Sequence, residues 1–128
     1  MNYQIKLFRW PDKGDHIIMI TRGPIDLEGF RQILKEVAQV VQPLLDCKVL
    51  IDLQDATCEL TPADIDALVK GIGPDLWPHD NKVALVSPAE VEEHEKLALL
   101  VAALCHRAFR TAVFYDPKSA ISWLAEIP

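Results

Sequence analysis

Basic residues, cysteine and long apolar runs are all scarce in this chain of 128 residues, and each shortage removes a class of function. Lysine and arginine total 13 against 19 aspartates and glutamates, a net charge of −6. An acidic field repels phosphate backbones and anionic headgroups, so nucleic acid is not an expected partner. Cys47, Cys58 and Cys105 are odd in number and lack close paired spacing, which argues against a disulfide framework or a zinc site and for cytosolic thiols. The longest apolar run, Leu97 to Cys105, is about half of the ~20 residues that span a bilayer. The opening MNYQIKLFRW alternates polar and apolar residues and has no signal-peptide block. The expectation is a soluble, cytoplasmic protein that does not span a membrane.

Catalytic constellations are missing as well. His94 sits among Glu90, Glu92, Glu93 and Glu95, but no second histidine lies a turn away, so the group reads as a solvated helix end and not as a metal site. Cys105 and His106 are adjacent, and neighbouring helical side chains point apart, so they form no nucleophile–base pair. No nucleophile, base and oxyanion donor can be placed together, and neither an enzyme, a metal nor a cofactor is expected.

What is present is a globular composition, 50% apolar and 25% charged, at a length that suits one domain over residues 1–128. The chain is organised around CKVLIDLQDATCELTP, residues 47 to 62. Val49, Leu50, Ile51 and Leu53 make a strand apolar on both faces, as in the middle of a parallel sheet. Thr61-Pro62-Asp64 opens a helix with an N-cap, a proline that has no N–H to lose, and a carboxylate at the positive end of the dipole. The intervening QDATCEL reads as a loop at the carboxyl edge of the sheet, where α/β proteins meet their ligands and partners.

Residues 3 to 22 alternate around a turn at Pro11 to Asp15 and read as a hairpin, ended by Gly23 and Pro24. Leu27, Phe30, Ile33, Leu34, Val37, Val40 and Val41 have helical spacing, with Asp26 as N-cap and Pro43 near the end. The helix from Thr61 buries Ile65, Leu68 and Val69 and is cut short by Gly71, Gly73 and Pro74. Val83 to Val86 form a strand, Ser87-Pro88-Ala89-Glu90 a capping box, and a helix follows to about Ala108. Ala112 to Tyr115 make a last strand, and Asp116-Pro117 opens a last helix carrying Ile121, Trp123 and Leu124. The expected architecture is α/β: a mixed, mostly parallel five-stranded sheet in the order β-β-α-β-α-β-α-β-α, with right-handed crossovers.

Three stretches together, GPIDLEGFRQIL, VLIDLQDATCELTPADIDAL and VFYDPKSAISWLAEI, resemble the SpoIIAA-like proteins, relatives of the STAS domains and more remotely of the CRAL-TRIO lipid-transfer domains. The likeness covers roughly residues 16 to 127, and its most specific part is Val113, Phe114 and Asp116 followed by Ala120, Trp123 and Leu124. The resemblance implies strands in largely sequential order, no enzymatic activity, and a switch or docking role; the CRAL-TRIO relatives hold apolar ligands. In anti-sigma-factor antagonists of the STAS family a serine of an Asp-Ser-Ser-Gly motif is phosphorylated. Here the region reads Asp55-Ala56-Thr57-Cys58-Glu59-Leu60-Thr61-Pro62, without that motif. Thr57 and Thr61 remain phosphate acceptors in principle, opposed by the charges of Asp55, Glu59 and Asp64.

Apolar surface is in surplus. Leu97 to Cys105 is apolar all round, whereas one helix on one sheet buries only a stripe. One sheet face carries Ile17, Met19, Val49, Ile51, Leu53, Val83 and Leu85, and the other carries Ile18, Ile20, Leu50, Ala84 and Val86, interrupted by Asp52. The second face needs a cover, which the chain itself, a partner subunit or an apolar ligand would supply. Trp77 either lines a ligand mouth or wedges the core shut beside His79, while Trp10 and Trp123 are assigned to packing. The expectation is a binding module, a homodimer, that docks a protein through Asp55, Thr57, Cys58, Glu59 and Thr61. The alternative is a carrier or sensor of a small apolar, lipid-like ligand held near Leu99, Leu100, Ala103 and Trp77.

Overall fold

The computed structural model describes residues 2–10, 14–41, 47–72, 82–107 and 109–126. Strands β1 (Asn2–Trp10), β2 (Gly14–Ile25), β3 (Lys48–Cys58), β4 (Val83–Val86) and β5 (Thr111–Phe114) alternate after the first pair with helices α1 (Leu27–Val41), α2 (Pro62–Gly71), α3 (Val91–His106) and α4 (Pro117–Ala125). The sheet order is β1-β2-β3-β4-β5. Its parallel part has four strands, β2 to β5, and the expected count of five is reached only with β1, which pairs antiparallel at the edge. The sequence is α/β as its alternation of strand and helix periods implied. The turn at 11–13, Pro43, and Gly73, Pro74, Trp77 and His79 lie outside the described residues.

Over β3 and β4 both faces of the sheet are covered by the chain itself. Against one face lie α1, α2 and α3, burying Phe30, Ile33, Leu34 and Val37 of α1, Leu68 of α2, and Leu97, Leu100 and Leu104 of α3 on Ile17, Met19, Val49, Ile51, Leu53 and Leu85. Against the other lies α4, whose Ala120 and Leu124 cover Leu50, Ala84 and Val86, with Ile18, Phe114, Ile121 and Trp123 half-buried around them. The second apolar face therefore needs neither ligand nor partner over β3 and β4. Withdrawal of such side chains from water, at about 1.5 to 3 kcal/mol each, is the main force on both sides.

Of the three helix starts read as Ser, Thr or Asp followed by Pro, two are as the residues imply. Thr61 Oγ1 accepts from Asp64 N at 3.1 Å while Asp64 Oδ2 accepts from Thr61 N at 3.0 Å, a complete capping box. Asp116 Oδ1 accepts from Ser119 N at 2.8 Å. The third differs. α3 begins at Val91 with Glu90 at its N-cap and no side-chain cap bond, so Ser87 caps nothing. Its hydroxyl is drawn elsewhere, as described below.

The larger correction concerns β2 and β3. β2 does not end at Gly23 and Pro24 but continues to Ile25, and β3 continues through QDATC to Cys58, the two pairing as Arg22↔Asp55, Gly23↔Ala56, Pro24↔Thr57 and Ile25↔Cys58. Between Ile20↔Asp52 and Arg22↔Asp55, β3 advances three residues while β2 advances two, which is a β-bulge. Asp52 Oδ1 accepts from Gln54 N at 3.0 Å, and Thr21 Oγ1 donates to the Asp52 carbonyl at 3.4 Å, so the bulge keeps its polar groups occupied. Gly23 supplies φ +84°, a left-handed conformation that other residues rarely adopt.

Candidate functional site

An extra residue in β3 reverses which side chains face inward. Up to the bulge Val49, Ile51 and Leu53 point to the core; beyond it Ala56, Cys58 and Leu60 do, and Gln54 and Asp55 are exposed in succession. Asp55, Thr57, Glu59 and Thr61 consequently form one exposed row along the carboxyl end of β3 and onto the cap of α2. Cys58, expected on the same surface, lies wholly buried on the opposite side.

Burial and then the Glu93 carboxylate push the Cys58 thiol up to about 12. At neutral pH it is a neutral thiol, and its inertness follows from the same burial.

The row is held stiff from beneath. Glu59 N donates to the Ile25 carbonyl at 2.7 Å, and Cys58 N donates to Glu93 Oε2 at 2.8 Å. Lys96 Nζ donates to the Cys58 carbonyl at 3.1 Å and pairs with Glu93 at 3.2 Å. Glu93 is only 7% exposed. A buried carboxylate is costly unless paired and hydrogen-bonded, and this one is both. Its partner N–H belongs to the last residue of β3, so the acid reading of the 90–95 cluster as uniformly solvated fails at Glu93. Nothing in the spacing of the four glutamates distinguishes it, since its partners come from β3.

Thr61 and Thr57 differ in their surroundings. The Thr61 hydroxyl is engaged in the capping box, and the carboxylate of Asp64 already occupies the helix N-terminus. Thr57 stands exposed, two residues from Asp55 and two from Glu59 on the same side of the strand.

A second polar cluster closes the ends of β4 and β5. Ser87 N donates to the Phe114 carbonyl at 2.8 Å. Its hydroxyl donates to the Pro88 carbonyl at 3.0 Å and meets His94 Nδ1 at 2.6 Å, which assigns the imidazole proton to Nδ1. The His94 ring stacks on Tyr115, centroids 3.7 Å apart and 8° from parallel. Ser87 is wholly buried, so the pair anchors the first turns of α3 to the sheet edge and offers no open hydroxyl to a substrate. The sequence hides this contact because Tyr115 lies 21 positions beyond His94 and Ser87 stands outside the helix. Among the described residues no group of three or more His, Cys, Asp or Glu is placed to hold a metal ion.

Three of the four residues expected to hold an apolar ligand lie on α3. Leu100 points into the core, Ala103 is half-buried, and Leu99 is 56% exposed; Trp77 lies outside the described residues. A void of about 10 Å³ between helices and sheet, lined by Phe30, Leu34, Ile51, Leu68, Leu100 and Leu104 among others, has room for about one water-sized body and no polar lining. Lipid-sized ligands occupy pockets of several hundred Å³. No helix among the described residues is long and apolar enough to cross a membrane.

No family model and no curated protein matches the chain. Solved structures do, among them the following two. An uncharacterized protein of the DUF3478 family with a SpoIIAA-like fold from Shewanella loihica is 19% identical, with a TM-score of 0.58 over 96% of this chain and 93% of that one. The anti-sigma factor antagonist SpoIIAA in its unphosphorylated form is 12% identical, with a TM-score of 0.50 over 97% of this chain and 100% of that one. The chain has the SpoIIAA-like, STAS-type α/β fold.

Proposed function

We propose that this protein is a non-catalytic regulatory domain that docks a protein partner on the row Asp55, Thr57, Glu59 and Thr61. The observation that carries the reading is the anchoring of that row: a part-buried ion pair and two inter-element hydrogen bonds hold the strand end while Asp55, Thr57 and Glu59 stay exposed. Pre-organisation of this kind lowers the entropic cost of association. The resemblance in fold to an anti-sigma factor antagonist supports a docking role. Asp55, Glu59 and the net charge of −6 select a partner with a basic face. Three cysteines that form no disulfide, two of them buried, suit a reducing, cytoplasmic setting.

Phosphorylation belongs to this reading only as a modulator. A dianion on Thr57 would stand between two carboxylates, and one on Thr61 would dismantle the capping box, so either weakens the row as built. Intact-mass measurement on protein from its native cells reads any such phosphate directly.

Docking is tested with a photo-crosslinking amino acid at position 57 in native cells. One dominant protein adduct is expected, lost in the double variant D55K/E59K and kept in E28K, which changes an exposed charge on α1. Adducts unaffected by D55K/E59K contradict the proposal.

A further inference from the structure

The large apolar side chains exposed among the described residues, Val91, Leu99 and Tyr115, are 61%, 56% and 50% exposed, and all lie on α3 or against it. Val91, Glu95, Leu99, Ala102 and His106 form an exposed stripe whose spacing of four, four, three and four keeps them on one side of the helix. Charge along α3 is polarised: Glu92 and Glu95 are exposed toward its start, His106 and Arg107 toward its end. About the point midway between Leu100 and Val101 the positions of the stripe other than Val91 fall into pairs. Leu99 and Ala102 are equidistant from that point, as are Ala98 and Ala103, and Glu95 and His106.

From these exposed apolar positions and the opposite charge character of the two ends of α3 we infer that the outer stripe of α3 is the contact between two copies of the chain, with their α3 helices antiparallel across a two-fold axis. In that arrangement each Leu99 meets the Ala102 of the second copy, and each Glu95 meets the end carrying His106 and Arg107. A parallel arrangement would set acid against acid, and a basic helix from another protein would oppose His106 and Arg107, so charge selects a second copy as the occupant. Ala98 and Ala102 let the two helices approach closely. A helix of 16 residues is about 24 Å long, so a pair buries less than the ~1,600 Å² of a standard stable interface. The dimer is accordingly weak and concentration-dependent. It goes beyond the docking reading and stands apart from it, since Glu93 and Lys96 reach β3 from a different side of the helix.

Sedimentation equilibrium of the full chain between about 5 and 500 μM tests it, the range suited to a small interface. A dimer fraction rising with concentration is expected. Leu99→Glu abolishes it, and each single charge change weakens it about tenfold, Glu95→Lys by setting a cation against the end that carries Arg107 and His106→Glu by setting two carboxylates opposite each other. The double variant E95K/H106E restores association to within about threefold of the parent, because the pair is merely exchanged. All these positions are exposed, and unchanged melting of each monomer separates a lost contact from a lost fold. A chain that stays monomeric throughout, a dimer that survives Leu99→Glu, or a double variant as weak as the singles each overturns the inference. None of these results bears on crosslinking at position 57.

Discussion

Two faces of one sheet are closed here by different means. Three helices cover the first, and its core of buried residues runs without interruption from Ile17 on β2 to Leu104 on α3. One helix of nine residues covers the second, and among the described residues Leu50, Ala84, Val86, Ala120 and Leu124 form its buried cluster. The thin side is reinforced at its ends by polar contacts. Lys82 Nζ donates to the Trp123 and Glu126 carbonyls, each at 2.9 Å, and lies 5.0 Å from the centre of the Trp123 ring, while Asp116 caps the other end of α4. Burial and then Arg110 lower the Lys82 ammonium below its ordinary value. Where apolar area is short, hydrogen bonds to helix ends carry a larger share of the fixing.

The sharpest way to break the comparison is to remove equal side chains from each side. Leu97→Ala, in the thick core, is expected to cost about 3–5 kcal/mol by urea unfolding, and Leu124→Ala about 2–3 kcal/mol, because the thin cluster collapses more easily onto the gap. A larger loss at Leu124 would mean that α4 is the keystone. Lys82→Met keeps the aliphatic stem but loses both bonds to the end of α4; about 1–2 kcal/mol is expected, with hydrogen exchange accelerated in α4 and unchanged in α1.

A smaller effect comes from pH. Hydrogen bonds from Ser119, first its backbone N–H and then its hydroxyl, hold the Asp116 carboxyl below its ordinary value. A carboxyl lower in the folded state than in the unfolded one stabilises fully above the unfolded value and loses that contribution as pH falls through the folded one. Acidification below about pH 4 is therefore expected to loosen the start of α4 first, read as a change in Trp123 fluorescence that Asp116→Asn removes. The smallest perturbation is chemical. Under native conditions iodoacetamide is expected to label Cys105, which is exposed, and to spare Cys47 and Cys58, which are buried; rapid labelling of Cys58 would show that the end of β3 opens.

Legibility in the sequence followed the range of each interaction. α1 was readable from its apolar spacing and from Asp26, whose Oδ1 accepts from Gly29 N at 2.8 Å. The caps at Thr61 and Asp116 were readable because donor and acceptor lie within three residues. The end of β3 was not. QDATC lacks the β-branched run of a strand, and the bulge after Asp52 shifts its inward positions from odd to even, so no single period spans 48 to 58. Its strand character comes from pairing with residues 22–25, where a glycine and a proline ordinarily end a strand. Ser87 misleads for the opposite reason: a Ser-Pro pair with Glu three residues on satisfies a local rule, but the hydroxyl meets His94 instead. The surplus of apolar surface was real in part. α4 absorbs most of the second face and the core absorbs Leu97, Leu100 and Leu104, leaving Leu99 and Val91 exposed.

The docking row depends on one structural statement, that residues 54 to 58 are a paired and anchored strand end. Residue-resolved hydrogen exchange of the full chain tests it most directly. The amides of Cys58 and Glu59, bonded to Glu93 and Ile25, are expected to exchange with protection approaching that of Val49 and Ile51, and Glu93→Ala is expected to release Cys58 selectively. Exchange of both amides at the rate of an open loop would contradict the account.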